Sequence, residues 1–152
     1  MNNGRLKILA GDKIIWRSPS AWKVTSFVLD DVTNDHTTDL MIVLWKEGSF
    51  GRYRPFWHTG EDRVWSNHLF VYDLVKQKMK PLWCSSAVER PIAEISVDDV
   101  DGNGQNELIV REQTSWSEQC QELLGHHNQK VSVWQWQTFG FYRSTDARED
   151  SD

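Results

Sequence analysis

An internal repeat is the feature of this sequence that most restricts its fold. Residues 13–18 align with residues 80–85, and residues 141–144 are a fainter third copy. Residues 27–32 and 39–43 likewise parallel residues 95–100 and 107–110, which gives a unit of about sixty residues. A repeat of this length indicates one supersecondary unit whose copies stack on each other to bury a shared core.

Alternation of apolar and polar residues indicates that the unit consists of strands. Ile95 and Val97 alternate with polar neighbours, and Phe27 and Leu29 take the same positions in the first copy. A period of two is typical of a half-buried strand. Residues 40–45 are apolar throughout, which favours a strand covered on both faces. The predicted hairpins are 6–10 with 13–18, 69–74 with 80–85, 131–137 with 139–144, and two Asp-rich hairpins between these.

These hairpins predict an all-β fold of about ten strands. Four strands per unit favour a propeller-like arrangement of two four-stranded antiparallel blades, over about 13–74 and 80–137, plus one extra hairpin. Residues 5–145 then form a single domain between a flexible N-terminus, 1–4, and a polar tail, 146–152. Because two blades are too few to close a ring, we expect a piece of a longer propeller or a homo-oligomer that completes one.

Charge and hydropathy restrict the partners. Seventeen Lys and Arg against 22 Asp and Glu give a net charge of −5, so no basic face for nucleic acid is expected. No apolar run reaches membrane-spanning length, and the first residues lack the pattern of a signal peptide. A protein or a glycan is the expected partner.

Tryptophan is unusually frequent, with nine in 152 residues. Trp16, Trp83 and the Trp134/Trp136 pair recur at equivalent strand positions, which predicts packing between repeats rather than ligand binding. Cys84 follows Trp83 in the same strand and is therefore predicted to be a buried small apolar residue.

The Asp-rich segments resemble the FG-GAP/VCBS repeat, the integrin-type β-propeller repeat, whose signature is Asp-x-Asp-x-Asp-Gly-x-x-Asp between two strands. Residues 99–107 match this pattern closely, whereas residues 31–39 depart from it at Thr33 and His36. Residues 45–51 (WKEGSFG) are similar to a stretch in bacterial members of the class that are described without an assigned function. The resemblance implies a binding or scaffold module, and an extracytoplasmic location if a leader has been removed.

The second Asp-rich loop predicts a Ca²⁺ site. Its candidate ligands are Asp99, Asp101, Asn103, Gln105 through its carbonyl, and Glu107. Oxygen ligands at alternate positions can face one Ca²⁺, and a glycine at 104 permits the positive φ of such a turn. An EF-hand is excluded because loop position twelve is a valine and the flanks alternate as strands. The open alternative is that these side chains cap a tight turn without metal.

The first Asp-rich loop offers a weaker version of the same pattern. Its corresponding residues are Asp31, Thr33, Asp35 and Asp39, with one carboxylate fewer and no glycine. We therefore expect no metal in this loop.

An aromatic loop between the third and fourth strands of the first unit is the second candidate site. Its residues are Phe50, Arg52, Tyr53, Arg54, Phe56, Trp57 and Trp65. Rings beside guanidinium groups suit the stacking of sugars or a protein partner. The favoured alternative is that the large aromatics fold back over the edge of the sheet.

No sequence motif for catalysis is present, so a non-enzymatic role is predicted. Two alternatives stay open: a carbohydrate-binding module that uses the aromatic loop, and a fragment of a polysaccharide-acting hydrolase or lyase that uses Asp99 or Asp101. The second requires these carboxylates to line a pocket.

Overall fold

The computed structural model describes residues 4–49, 56–57, 59–113 and 129–144. These residues form ten β-strands, and none of them lies in a helix that could cross a membrane. The strands are β1 (Lys7–Ala10), β2 (Lys13–Arg17), β3 (Lys23–Asp30), β4 (Asp39–Glu47), β5 (Trp65–Val75), β6 (Lys78–Cys84), β7 (Ile92–Asp98), β8 (Glu107–Gln113), β9 (Gln129–Gln137) and β10 (Gly140–Ser144).

The strands form three antiparallel sheets. The N-terminal hairpin is β1–β2, the first sheet has the order β3-β4-β5-β6, and the second sheet has the order β7-β8-β9-β10. The prediction of an all-β fold with ten strands is confirmed, and each predicted hairpin is present. Among the described residues the sheets do not close into a ring, so the propeller stays a prediction.

The sheets are offset from the predicted repeat units by one strand. The first sheet spans 23–84 and the second 92–144, whereas the units were placed at about 13–74 and 80–137. The strand that carries Trp16 pairs with β1, and the strand that carries Trp83 closes the first sheet. A sequence repeat does not define which strand comes first. The offset therefore changes the strand at which each unit starts, and each unit still contains four strands of the same kinds.

The first sheet is apolar on both faces because of β4. Leu40, Ile42 and Leu44 point to one face, Met41 and Val43 point to the other, and all five are almost fully buried. Burying such a side chain contributes about 1.5–3 kcal/mol. The sheet is therefore stable only with a layer on each side.

The N-terminal hairpin covers one of these faces, which we call the hairpin face. Trp16 packs on Tyr72 with ring centroids 5.4 Å apart, and Trp22 packs edge-on against Phe70 at 5.2 Å. Both partners lie on β5, and β2 runs beside β6. The hairpin thus lies over the outer half of the first sheet.

The second sheet covers the opposite face of the first. Met41, Val43, Leu69 and Val71 join Val32 on the first sheet's side of this core, and the second sheet contributes the buried residues Ile92, Ile95, Leu108 and Val110. The backbones of β3 and β7 approach closely. Sequence alternation placed these residues on strands, and the packing shows which face each one takes.

Tryptophans close this core at the outer strands. Trp83 of β6 packs edge-on against Phe141 of β10 at 5.4 Å, and Trp136 packs on the same phenylalanine at 5.2 Å. A Cβ on Gly140 would lie 3.1 Å from the indole nitrogen of Trp83, so a side chain at 140 would crowd the contact. The prediction that the repeated tryptophans pack between repeats is confirmed for Trp16, Trp83, Trp134 and Trp136.

The burial predicted for Cys84 is wrong. This residue is exposed, because it is the last residue of β6, the outer edge strand of the first sheet. Partial desolvation still raises the pKa of its thiol. The thiol form therefore predominates near neutral pH.

A histidine is fully buried on the hairpin face. The Nδ1 atom of His68 lies 3.2 Å from the carbonyl oxygen of Ser85, and Nε2 lies 2.9 Å from the hydroxyl of Ser66. A carbonyl oxygen only accepts hydrogen bonds, so Nδ1 carries the proton and Nε2 accepts from Ser66. Burial lowers the pKa of His68, and the charge of Lys46 lowers it further.

This depressed pKa makes stability depend on pH. Well above a pH of about 6.5 the histidine is neutral in both states, and as the pH falls through about 6.5 the unfolded chain takes up a proton that the folded chain resists. We expect acidification from about pH 7.5 to about pH 5.5 to lower the free energy of unfolding, with His68 contributing part of the loss. Urea unfolding of His68→Asn at both pH values should show a flatter dependence.

His36→Asn is the matched control, because the side chain of His36 is 98% exposed. This variant should keep the pH dependence of the parent protein. An unchanged dependence in His68→Asn would show that His68 is not responsible.

Candidate functional site

The two Asp-rich loops share one backbone conformation. The first loop, 31–38, joins β3 to β4, and the second, 99–106, joins β7 to β8. Positive φ angles occur at Asn34 (59°) and His36 (67°) in the first loop, and at Gly102 (73°) and Gly104 (86°) in the second. The repeat is therefore conserved in backbone geometry even where a histidine replaces a glycine.

The first aspartate of each loop caps the turn. The carboxylate of Asp31 accepts hydrogen bonds from the backbone N–H groups four and five residues further on, at 3.1 and 2.9 Å. Asp99 accepts the equivalent pair at 3.0 and 2.9 Å. Turn capping, which was left open as the alternative to metal binding, thus occurs in both loops.

The second loop in addition brings three carboxylates together. Asp99, Asp101 and Glu107 each offer an oxygen, and these oxygens lie within 4.8 Å of one another. Glu107 is buried, and its Oε2 accepts a hydrogen bond from the backbone N–H of Val100 at 2.9 Å. Three like charges at this separation repel unless a cation lies among them. Carboxylate oxygens are the donors that Ca²⁺ and Mg²⁺ prefer.

The other two predicted ligands bond within the loop itself. The side-chain oxygen of Asn103 accepts from the N–H of Gln105 at 2.7 Å, and its amide nitrogen donates to Asp101 at 3.0 Å. Both residues are exposed. Of the five predicted ligands, the structure therefore groups three as candidate cation donors and places the side chain of Asn103 in the hydrogen bonding of the turn, while the carbonyl of Gln105 stays a prediction.

Each carboxylate of the first loop accepts hydrogen bonds from donors of the same loop. Thr33 occupies the position of Asp101 and donates both its N–H (3.1 Å) and its hydroxyl (2.9 Å) to Asp39, while Thr37 donates in the same two ways to Asp35. Within the described ranges, Asp31, Asp35 and Asp39 form no group of three converging carboxylates. In the first loop the hydroxyl of Thr33 thus binds a carboxylate oxygen, which is the role that a cation would have in the second loop.

One oxygen of the first loop is left without a hydrogen bond. Oδ1 of Asp39 is buried and unpartnered, whereas Oδ2 binds Thr33. Burial raises the pKa of this carboxyl. The corresponding Glu107 has a longer side chain, and its two oxygens reach Val100 and Gln135.

An asparagine pair joins the two loops. The backbone N–H of Asn106 donates to the side-chain oxygen of Asn34 at 2.7 Å, and the amide of Asn34 donates back to the carbonyl of Asn106 at 3.1 Å. The side chain of Asn106 also donates to the carbonyl of Asp31 at 2.7 Å. Three hydrogen bonds therefore connect the sheets at their loop ends, directly beside the three-carboxylate group.

Sequence reasoning missed this pair for a definite reason. Asn34 aligns with Gly102, and Asn106 aligns with Thr38, so the repeat gives neither asparagine a counterpart. The only available signal was that asparagine tolerates the left-handed conformation that Asn34 adopts.

The structure describes part of the predicted aromatic surface. Phe50, Arg52, Tyr53 and Arg54 lie outside the described residues. The exposed fractions of the remaining three are 92% for Phe56, 70% for Trp57 and 51% for Trp65. The expectation that these aromatics fold back over the sheet edge is wrong for Phe56 and Trp57, which pack edge-on against each other at 4.9 Å and stay exposed to solvent. Trp65 is instead the first residue of β5 and is half exposed.

A cleft of about 450 Å³ lies between the two sheets, and Trp45 and Trp65 form part of its wall. The remaining wall consists of Lys23, Thr25, Pro91, Ile92, Ala93 and Gln113. Two indole rings with amide, hydroxyl and ammonium groups nearby are suited to a small polar ligand with an apolar face. Phe56 and Trp57 are not among the residues that line it.

Comparisons with models of known protein families, with curated proteins and with solved structures found no match to this chain.

The asparagine pair makes a testable contribution to stability. We expect Asn106→Ala to lower the free energy of unfolding by about 1–3 kcal/mol, because it leaves the carbonyl of Asp31 without the donor that the Asn106 side chain supplies. Asn34→Ala should cost about 1 kcal/mol more than Asn34→Gly, since only glycine takes up the left-handed backbone without strain.

The double variant Asn34→Gly with Asn106→Ala removes all three hydrogen bonds, because the side chain of Asn34 binds the backbone of Asn106 and the side chain of Asn106 binds the carbonyl of Asp31. Urea unfolding of this variant should show a loss of about 1.5–4.5 kcal/mol, at about 0.5–1.5 kcal/mol for each hydrogen bond. A loss below about 0.5 kcal/mol would mean that the two loops do not support each other.

Proposed function

We propose that this chain is a non-catalytic binding or scaffold module of the FG-GAP/VCBS repeat type, in which a Ca²⁺ ion in the second Asp-rich loop fixes the joint between two blades. The observation that carries this proposal is the position of the three carboxylates. Glu107 immediately follows Asn106, whose backbone and side chain make the inter-loop hydrogen bonds. A cation that orders Glu107 therefore also orders the contact between the sheets.

The ion would act as a clamp at the ends of two strands. Asp99 directly follows β7, and Glu107 is the first residue of β8. Neutralising their charges removes the repulsion between the strand ends and holds the turn closed. The proposed role of Ca²⁺ is thus structural, and the binding surface lies on the sheets that it positions.

The relation of the two sheets supports a propeller-like arrangement. The backbones of β3 and β7 are close, whereas the outer strands β6 and β10 meet through the large side chains Trp83 and Phe141. Sheets that are close at one edge and spaced by aromatics at the other diverge as blades do.

The hydrolase alternative lacks the geometry that it requires. Asp99 accepts two backbone N–H groups of its own turn, and Asp101 accepts the N–H and the amide of Asn103. Carboxylates engaged in their own turn do not supply the paired acid and base of a glycoside-cleaving site.

Calorimetric titration with Ca²⁺ tests the metal proposal. The parent protein should bind one Ca²⁺ and gain thermal stability in proportion to the logarithm of the Ca²⁺ concentration above Kd. Asp101→Thr gives the second loop the residue that the first loop carries at Thr33, so this variant should fold and lose at least about tenfold in Ca²⁺ affinity.

Asp35→Asn in the first loop is the control and should leave the titration unchanged. Absence of heat and of thermal stabilisation at millimolar Ca²⁺ would contradict the proposal. Equal affinity in Asp101→Thr would place the ion elsewhere.

A second candidate function, carbohydrate binding, is favoured by the cleft that Trp45 and Trp65 line. Indole faces stack on the apolar faces of sugar rings, and the nearby side chains of Gln113 and Thr25 can hydrogen-bond sugar hydroxyls. Because Trp65 lines the cleft, we propose the sugar site there and not at the tip of the aromatic loop.

Calorimetry with a panel of soluble glycans checks it. We expect saturable binding of a glycan that Trp65→Ala weakens by at least about tenfold. Trp57→Ala should bind as the parent does, because Trp57 lies outside the cleft. Loss of binding in Trp57→Ala alone would mean that the site lies at the loop tip. If no glycan gives saturable heat, the carbohydrate-binding function is contradicted.

A further inference from the structure

Two large apolar side chains on the hairpin face of the first sheet are exposed where the repeat predicts burial. Phe27 is 41% exposed and Leu29 is 50% exposed. They pair across the sheet with Ile42 and Leu40, which are buried, so all four belong to one face. In the second sheet the residue equivalent to Phe27 is Ile95, and it is only 5% exposed.

This difference arises from the layer that lies opposite each strand. Ile95 on β7 is covered by the first sheet, which is four strands wide. Among the described residues, the hairpin face is covered by the N-terminal hairpin and by the residues that flank it. Leu6 packs with Val24 at the start of β3, and the N–H of Val24 donates to the carbonyl of Gly4 at 2.8 Å. Trp16 and Trp22 pack on Tyr72 and Phe70 of β5. The later part of β3, with Phe27 and Leu29, is exposed.

The N-terminal hairpin has an open edge on the same side. β1 and β2 correspond in sequence to the outer pairs β5–β6 and β9–β10. β5 pairs with β4 as well as with β6, and β9 pairs with β8 as well as with β10. Among the described residues β1 pairs with β2 alone. Because β2 runs beside β6, the free backbone edge of Lys7–Ala10 lies on the side of the hairpin away from β6.

We propose that the free edge of β1 together with Phe27 and Leu29 is a docking surface for an Asp-rich β-hairpin of the same type as β3–β4 and β7–β8, supplied by another polypeptide. Its nearer strand pairs antiparallel with β1, as β4 pairs with β5, and completes a four-stranded sheet. Its apolar side chains then cover Phe27 and Leu29. This inference deepens the proposed scaffold role by naming the partner, and it does not require Ca²⁺.

Charge at the edge agrees with this partner. Residues 5–31, which include β1 and the exposed pair Phe27 and Leu29, contain five cations against three acidic residues and so carry a net charge of +2; the cations are Arg5, Lys7, Lys13, Arg17 and Lys23, and the acids are Asp12, Asp30 and Asp31. The chain's own example of such a hairpin, residues 92–113, contains six acidic residues and one arginine. Opposite charges on the two surfaces favour their association and disfavour pairing of β1 with another basic edge.

A second copy of this chain is a poorer occupant. Both of its Asp-rich hairpins are already paired, β3–β4 with β5 and β7–β8 with β9. A copy that donated one of them would have to give up its own buried core residues. The homo-oligomer expected from the sequence is therefore the competing outcome of the test.

The test uses the full chain and a synthetic peptide of residues 92–113 as the probe. We expect saturable binding by fluorescence anisotropy of the labelled peptide, and slower hydrogen exchange of amides in Lys7–Ala10 by at least about tenfold when the peptide is bound. Phe27→Ser with Leu29→Ser should weaken binding at least about tenfold. The control Phe139→Ser should leave binding unchanged, since Phe139 is exposed at the β9–β10 turn of the other sheet.

Near-ultraviolet circular dichroism of the tryptophans confirms that each variant is folded. Absence of peptide binding, or equal binding by the Phe27/Leu29 variant, overturns the proposal. Light scattering could instead show a dimer mass that rises with protein concentration and is lost in Phe27→Ser with Leu29→Ser. That result overturns the proposal, because a second copy then occupies the surface. The calcium titration of the full chain is a separate measurement, so failure of docking and failure of the metal proposal are distinguishable.

Discussion

A sheet that is apolar on both faces must be covered on both faces, and the first sheet shows this requirement through β4. Residues 40–44 are buried whichever way they point, so the strand has no solvent side. The N-terminal hairpin supplies one cover and the second sheet supplies the other. The stacking of layers and the tryptophans between them follow from this requirement, and the asparagine pair fixes the two sheets together at their loop ends.

Repeat-equivalent residues of the two sheets differ in the same way, because only some of them lie under another layer. Val32 is buried against the second sheet, whereas its repeat equivalent, Val100, is 49% exposed. Where the first sheet has the buried Val43, the second has Arg111, which pairs with Glu94 at 3.5 Å. These two positions therefore need no cover. Phe27 and Leu29 on β3 are large, apolar and exposed, which is why their surface suits a partner.

Local pattern explains how much of this could be predicted. Strand periodicity and the repeat were sufficient for ten strands and five hairpins, because alternation is a property of each strand alone. Other features depend on which layers pack together, and the sequence of a single repeat unit does not contain that information. These features are the sheet boundaries, the exposure of Cys84 and of Trp57, and the cleft beside Trp65. The three carboxylates of the second loop were found because their spacing is local. Asn34 and Asn106 were missed because their contact joins loops 72 residues apart.

The central claim is that the two Asp-rich loops hold the sheets together, and hydrogen exchange at Asn106 tests it most directly. Its backbone N–H donates to Asn34 at 2.7 Å and belongs to a loop that has no strand partner there. Measured by NMR on the full chain, this amide should exchange at least about tenfold more slowly than an unprotected loop amide, and more slowly again with Ca²⁺. Exchange at the unprotected rate in both conditions would mean that the loops do not form the joint.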